Sequence, residues 1–201
     1  MRIGIYGGAF NPVHNGHLHL AEWFLENQPL DKVIFVPTAD PPHKSDSEFA
    51  SKEDRLNMLA AALDGKSKFE ISDIEFQRGG KSYTYYTICD MKRLYPNDSL
   101  FLIVGADQFL NFDKWYRADD ILSMVTLLAG ARMDDKEYRR MEKAKESMAV
   151  FKGRKVFVAN LPVLPMSSDE IRSKIKKGVC AEQYLPRGVW EYIDRKGLYN
   201  V

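Results

Sequence analysis

Apolar and polar residues follow two rhythms along the chain, and each switch between them marks an element boundary. Short unbroken apolar runs, long enough for buried strands, occur at Ile3, Ile5 and Tyr6, within Lys32–Pro37, within Ser99–Gly105, at Val125–Ala129, and at Lys155–Ala159 with Val163. Runs that are apolar on both faces suit a parallel sheet covered by helices on each side. Lys68–Phe76 alternates apolar with polar and predicts a half-buried strand. Between these runs the spacing turns helical. From Gly16, Leu18, Leu20, Ala21, Phe24 and Leu25 share one face. Ser51–Leu63 is amphipathic, with Ser51 at the cap, Asp54 at the capping-box position and Gly65 as a stop. Tyr85–Leu94 predicts a helix ended by the turn Pro96-Asn97-Asp98, and Ile121 to Met124 closes another. Met133–Met148 reads as a charge-laced surface helix. Ser167-Ser168-Asp169-Glu170 opens a helix containing Ile171 and Ile175, and Pro186–Lys196 is a final amphipathic helix using Val189, Trp190 and Ile193, stopped by Gly197. Strand–helix alternation throughout predicts right-handed crossovers and a mostly parallel sheet: a Rossmann-like three-layer α/β/α domain. We expect one domain over residues 1–201, with a small C-terminal helical part from about residue 167.

Composition narrows the partners. The 45% apolar and 28% charged residues are an ordinary globular mix, and 201 residues suffice to bury a sizeable core. Basic and acidic residues number 29 and 28, so a net charge of +1 argues against a nucleic-acid coat and makes any anion binding local. Cys89 and Cys180 lack metal-type spacing, and no apolar stretch reads as a signal peptide or membrane span. A reduced, cytoplasmic protein without membrane contact is expected.

The candidate chemistry gathers at the first strand–helix turn. Gly7 and Gly8 end the first apolar run, Pro12 turns the chain, and His14 and His17 stand at the mouth of the helix that follows. A helix N-terminus presents unpaired N–H groups and partial positive charge, so a phosphate can sit there. Neither Gly-x-Gly-x-x-Gly nor Gly-Lys-Ser/Thr is present. His-x-x-His has no Cys or carboxylate nearby at ligand spacing, so no protein-held metal is expected, and His19 reads as surface. The loop Thr38–Lys44, rich in proline, follows a parallel strand and places His43 and Lys44 at the carboxyl edge of the sheet, where such folds bind ligands. Gln77–Thr84 is a loop of hydrogen-bonding groups, and Gly105-Ala106-Asp107 leaves the third apolar run at that same edge.

The first turn resembles the signature of the nucleotidylyltransferase superfamily, Gly-Gly-x-Phe-x-Pro-x-His-x-Gly-His, completed here by Gly7, Gly8, Phe10, Pro12, His14, Gly16 and His17. Four further stretches, in family order, are similar to bacterial nicotinate-nucleotide adenylyltransferase, which joins nicotinate mononucleotide to ATP. They are Pro41-Pro42-His43-Lys44, Ser82-Tyr83-Thr84, Gly105-x-Asp107 with Trp115-Tyr116, and Ser167-Ser168-x-x-Ile171-Arg172; the tail Val189-x-x-Tyr192-Ile193-x-x-x-Gly197-Leu198-Tyr199 also matches. Two positions depart from the pattern: Asp169 stands where Thr usually follows the two serines, and Ala9 where Thr or Ser is common.

What the resemblance implies is an adenylyltransferase that gives deamido-NAD and pyrophosphate by direct in-line attack. Its catalytic groups would be His14, His17 and Arg172. ATP would be bound by Gly7, Gly8, Ala9, Phe10, His14, Gly16, His17, Gly105, Asp107, Ser167, Ser168 and Arg172. Nicotinate mononucleotide would be bound by Asn11, His43, Lys44, Ser82, Tyr83, Thr84, Asp107, Trp115, Tyr116 and Arg132. Trp115 would stack on the pyridine ring, backbone N–H groups near Thr84 and Tyr116 would receive the carboxylate, and Asp107 would accept from ribose hydroxyls. Mg²⁺ would enter on the ATP phosphates, held mainly by them and by water. The alternatives are nicotinamide mononucleotide or dual specificity, a phosphopantetheine acceptor, and a catalytically silent nucleotide-binding protein. Trp115-Tyr116 with Ser82-Tyr83-Thr84 favours a pyridine over a pantetheine arm, and a silent relative would have lost His14, His17 or Arg172. A homodimer stays open.

Overall fold

A computed structural model describes residues 1–40, 49–132, 135–161 and 166–200. Its element order is β1 (Arg2–Gly8), α1 (Asn15–Asn27), β2 (Lys32–Pro37), α2 (Lys52–Leu63), β3 (Phe69–Ile71), α3 (Ile74–Arg78), α4 (Thr84–Leu94), β4 (Ser99–Gly105), α5 (Ala106–Leu110), α6 (Ala118–Met124), β5 (Thr126–Arg132), α7 (Asp135–Ser147), β6 (Val156–Leu161), α8 (Ser168–Lys176) and α9 (Arg187–Lys196). The strands form one sheet in the order β3-β2-β1-β4-β5-β6, and every neighbouring pair is parallel. The expected three-layer α/β/α architecture follows, because alternate strand residues feed opposite cores. On one face Tyr6, Val33, Phe35, Ile103 and Leu128 pack with residues of α1, α2, α8 and α9. On the other, Ile3, Ile5, Ile34, Val36, Leu102 and Leu127 pack with residues of α4, α5, α6 and α7. Strand order reverses between β1 and β4, and the crevice beyond their carboxyl ends is where open α/β sheets take ligands.

Most elements lie where the hydrophobic rhythm places them. Ser51 caps α2 by accepting from the Asp54 N–H at 3.0 Å, and Gly197 ends α9 in the left-handed conformation. The charge-laced α7 is anchored by Met141, its buried residue among those described; Met133 lies outside the described residues. Two boundaries differ. The strand expected over Lys68–Phe76 is β3 alone, followed by the short α3. Helical winding turns the buried Glu75 inward, where its carboxylate accepts from the Thr87 hydroxyl at 2.5 Å and from the Ala39 N–H at 3.3 Å. Strand β5 runs on through Gly130 to Arg132, in register with β6 up to Leu161; Val163 lies outside the described residues. Gly130 is not a terminator but a contact point, since a Cβ there would sit 2.4 Å from Leu20 Cδ1 and 2.5 Å from Leu161 Cδ1.

Candidate active site

The turn between β1 and α1 is shaped by packing before it binds anything. Phe10 takes a left-handed backbone at φ 46° and buries its ring against Gly8, where a Cβ would approach it to 3.0 Å. Its ring neighbours are Tyr6 at 5.5 Å, His17 at 5.1 Å and Phe35 at 5.6 Å. Phe10 thus props the histidine from below. At Gly7 nothing lies within 4 Å of a Cβ position, which leaves the backbone open to the cleft.

His14 occupies the N-cap of α1 and His17 the third helical position. The His14 N–H donates to His17 Nδ1 at 3.2 Å, and the two rings lie close, centroids 3.7 Å apart and tilted by 31°. A neutral imidazole whose Nδ1 accepts carries its proton on Nε2, so His17 keeps a donor.

A second helix N-terminus opens onto the same space. Ser167 caps α8 in a reciprocal box: its Oγ accepts from the Glu170 N–H at 3.2 Å while its own N–H donates to the Glu170 carboxylate at 2.8 Å. Ser168 Oγ donates to the Pro12 carbonyl at 2.9 Å. The buried Arg172 donates from Nη1 to the Asn11 carbonyl at 2.8 Å and from Nη2 to Asp169 Oδ1 at 2.8 Å. The departure at Asp169 therefore has a partner: its carboxylate, 63% exposed, pairs with a guanidinium that is 7% exposed. The helix and the turn are joined by two bonds to main-chain oxygens, so the relative placement of the two N-termini does not depend on a ligand.

The cleft is lined by Gly7, Gly8, Ala9, Phe10, Asn11, His14, Gly16, His17, Gly105, Asp107, Ser167, Ser168 and Arg172. That lining includes every residue expected to bind ATP. It also includes residues to which sequence reasoning assigned nothing, among them Phe49, Gln108, Leu161 and Met166. Gln108 Oε1 accepts from the Gly105 N–H at 3.0 Å and so fixes the end of β4.

The acceptor residues are placed differently. Ser82 is buried and its Oγ accepts from the N–H groups of Ala39 and Asp40, both at 3.0 Å, which holds the chain leaving β2. Tyr83 sits at the N-cap of α4 and Thr84 opens that helix. Tyr116 is brought to them, its ring 4.9 Å from that of Tyr83. Trp115 is half-buried and stacks on the core residue Phe112 at 4.7 Å. Among the described residues lining the cleft, none of Ser82, Tyr83, Thr84, Trp115 or Tyr116 appears. Asn11 lines it but is 1% exposed. Arg132 ends β5, and His43 and Lys44 lie outside the described residues.

Arg55 links the two sides and was not expected. On α2, buried, it donates from Nη1 to the Ala9 carbonyl at 3.0 Å and to the Thr38 carbonyl at 2.6 Å. Its guanidinium lies 5.5 Å from the Phe49 ring and 5.2 Å from the Phe76 ring. Burial lowers its pKa, and the guanidinium remains charged. The available signal was its spacing, three and four residues before Met58 and Leu59 on the buried stripe.

The cytidylyltransferase-like family model matches residues 5–174. A protein of Clostridium tetani described as a probable nicotinate-nucleotide adenylyltransferase is 39% identical, over 98% of each chain. One of Borreliella burgdorferi with the same description is 40% identical, over 99% of this chain and 97% of its own. A solved Plasmodium falciparum nicotinic acid mononucleotide adenylyltransferase complexed with NaAD superposes with a TM-score of 0.78 at 20% identity, covering 98% of this chain and 97% of that one. A phosphate-ready cleft at the switch point, a complete superfamily turn and full-length relatives lead to one statement: the chain belongs to the cytidylyltransferase-like family and, within it, to the nicotinate-nucleotide adenylyltransferases.

Proposed function

We propose that the chain transfers the adenylyl group of ATP to nicotinate mononucleotide, giving deamido-NAD and pyrophosphate in NAD biosynthesis. A phosphate oxygen of the mononucleotide attacks the α-phosphorus; that P–O bond forms as the one to the β-phosphate breaks, in line with it. The phosphate monoester is already anionic near neutral pH, so no protein base is needed. The protein's task is to align two anions and to stabilise charge on the transferring group. The observation that carries the reading is the convergence of the α1 and α8 N-termini on one cleft, fastened together through Ser168, Arg172 and the turn at Asn11 and Pro12.

The geometry supports the following roles. His17, donating from Nε2, and the first N–H groups of α1 meet phosphate oxygens, and the open backbone at Gly7 admits them closely. Arg172 faces the outgoing pyrophosphate, where the exposed Asp169 carboxylate exchanges out of its ion pair as phosphate oxygens arrive. Among the described residues no group of three or more His, Cys, Asp or Glu is arranged to hold a metal. Mg²⁺ would enter on ATP, held mainly by phosphate oxygens and water, and would supply charge neutralisation there. On the acceptor side Trp115 offers a ring face, Tyr116 and Thr84 offer backbone N–H groups, and Asp107 takes ribose hydroxyls. The chain acts as a single unit, because α8 and α9 share a core with α1 and α2. The unpaired thiols of Cys89 and Cys180 support a reducing, cytoplasmic setting. The direct test is pyrophosphate release with ATP and nicotinate mononucleotide; absence of release with well-folded protein defeats the reading.

A further inference from the structure

Asn11 joins four stretches of chain that are far apart in sequence. Its carboxamide oxygen accepts from the Ala50 N–H at 3.0 Å and from the Tyr199 hydroxyl at 2.7 Å, and its carbonyl accepts from Arg172 at 2.8 Å. Two donors fill the two lone pairs of that carboxamide oxygen. Asn11 is therefore held by the protein from several directions, and the residue that reaches it from the greatest sequence distance is Tyr199. Past the left-handed cap at Gly197, Tyr199 itself adopts a left-handed backbone at φ 65°, a conformation that costs a bulky residue and persists only where surroundings enforce it. Burial drives the phenol pKa well above the ordinary tyrosine value, so the hydroxyl stays protonated and able to donate.

We propose that Tyr199 is a positioning residue for adenylyl transfer: its hydroxyl fixes the Asn11 carboxamide, and through it the turn that sets His14 and His17 at the mouth of α1. The inference rests on the reaction assigned above. The link is short: Asn11 lies three residues before His14, and the carbonyl of the same residue anchors Arg172. A loosened turn therefore displaces donors on both helices that face the phosphates.

Tyr192 provides the internal control. Its hydroxyl is also buried and fully used, donating to Asp54 at 2.8 Å and accepting from Asn57 at 3.0 Å, but it ties α9 to α2 and touches nothing in the turn. Tyr199→Phe keeps the ring and its packing and removes only the tether. We expect it to lower kcat roughly fivefold to thirtyfold, with KM for ATP changing less than about threefold. Tyr192→Phe should lower Tm while kcat stays within about twofold of wild type. Amide hydrogen exchange between Gly8 and His14, which needs no turnover, should quicken in Tyr199→Phe and stay unchanged in Tyr192→Phe. Unchanged exchange there together with a wild-type kcat in Tyr199→Phe overturns the proposal. A wild-type protein that releases no pyrophosphate removes the reaction instead, and the exchange comparison still decides whether Tyr199 holds the turn.

Discussion

On the phosphate side of the site, α2 and α8 are joined to the turn after β1 through main-chain oxygens: Ser168 reaches the Pro12 carbonyl, Arg172 the Asn11 carbonyl, and Arg55 the carbonyl of Ala9. On the acceptor side, Tyr83, Tyr85, Tyr86 and Tyr116 meet through their rings, 4.9 to 6.4 Å apart, while Trp115 rests on Phe112. Hydrogen bonds to main chain fix direction as well as distance, and ring contacts are broader in geometry. The difference suits the two substrates. The triphosphate needs donors already aimed when charge develops, whereas a flat pyridine ring needs a face and a few oriented N–H groups. Truncations on the phosphate side should therefore depress turnover, and truncations on the acceptor side should weaken mononucleotide binding.

The largest effect should come from His17→Ala. Loss of one preorganised donor costs on the order of 10²–10³ in kcat. Circular dichroism and Tm should stay near wild type, because Phe10 still fills the space beneath the ring. A folded variant turning over within a few fold of wild type would break the comparison at its strongest point. Arg172→Ala should follow, lowering kcat/KM for ATP about a hundredfold, the scale of losing a charged contact that leaves buried partners unsatisfied. Arg172→Lys should recover little, since one ammonium cannot serve both the Asn11 carbonyl and a phosphate in the planar geometry of a guanidinium. Steady-state kinetics against ATP for the three proteins checks both statements.

These residues were legible before any coordinates because their spacing carries the chemistry. Gly7 through His17 is one contiguous turn, and Ser167 to Arg172 is one helix start, so a short pattern captures each. The sheet was legible for a similar reason: strands buried on both faces read as unbroken apolar runs. What sequence alone missed depends on distant parts of the chain. Glu75 looked like the polar partner of an alternating strand, but the Ala39 N–H just past β2 and the Thr87 hydroxyl draw it inward on a helix. Ser82, expected at the mononucleotide, also accepts from the N–H groups of Ala39 and Asp40, a structural role no local pattern shows. Arg55 received no role from the sequence: its spacing places it on the buried stripe of α2, but the two carbonyls and two phenylalanine rings around it come from distant parts of the chain. Tyr199 belongs to the same class, 188 positions from the side chain it holds.

Smaller effects sharpen the contrast. Trp115→Ala removes a ring face and leaves the backbone N–H groups in place. It should raise KM for both mononucleotides by roughly tenfold, the scale of a lost stacking contact. Their ratio should hold, because either pyridine ring stacks equally well; a changed ratio in paired kinetics would mean that the indole itself discriminates. The smallest effect lies away from the cleft. Hydrogen bonds from Ser51 and Tyr192, with Lys196 nearby, hold the Asp54 carboxyl below its usual value against the opposing effect of burial. A depressed carboxylate stabilises the fold above its unfolded pKa, and that contribution fades as pH falls through the folded one. Asp54→Asn should therefore lower Tm near neutral pH, with the gap from wild type narrowing below about pH 4, while kcat stays unchanged. Thermal melts across pH measure it.

The central claim is that a preformed phosphate cleft is coupled to a pocket built for a pyridine carboxylate. Wild-type kcat/KM for nicotinate mononucleotide against nicotinamide mononucleotide, each with ATP and Mg²⁺ and followed by pyrophosphate release, tests it most directly. Backbone N–H groups that donate to a carboxylate leave the amide's NH₂ facing donors, and each buried group left unpaired costs ~1–3 kcal/mol. The account predicts a preference for nicotinate mononucleotide of roughly tenfold to several thousandfold; equal values for the two mononucleotides would contradict it.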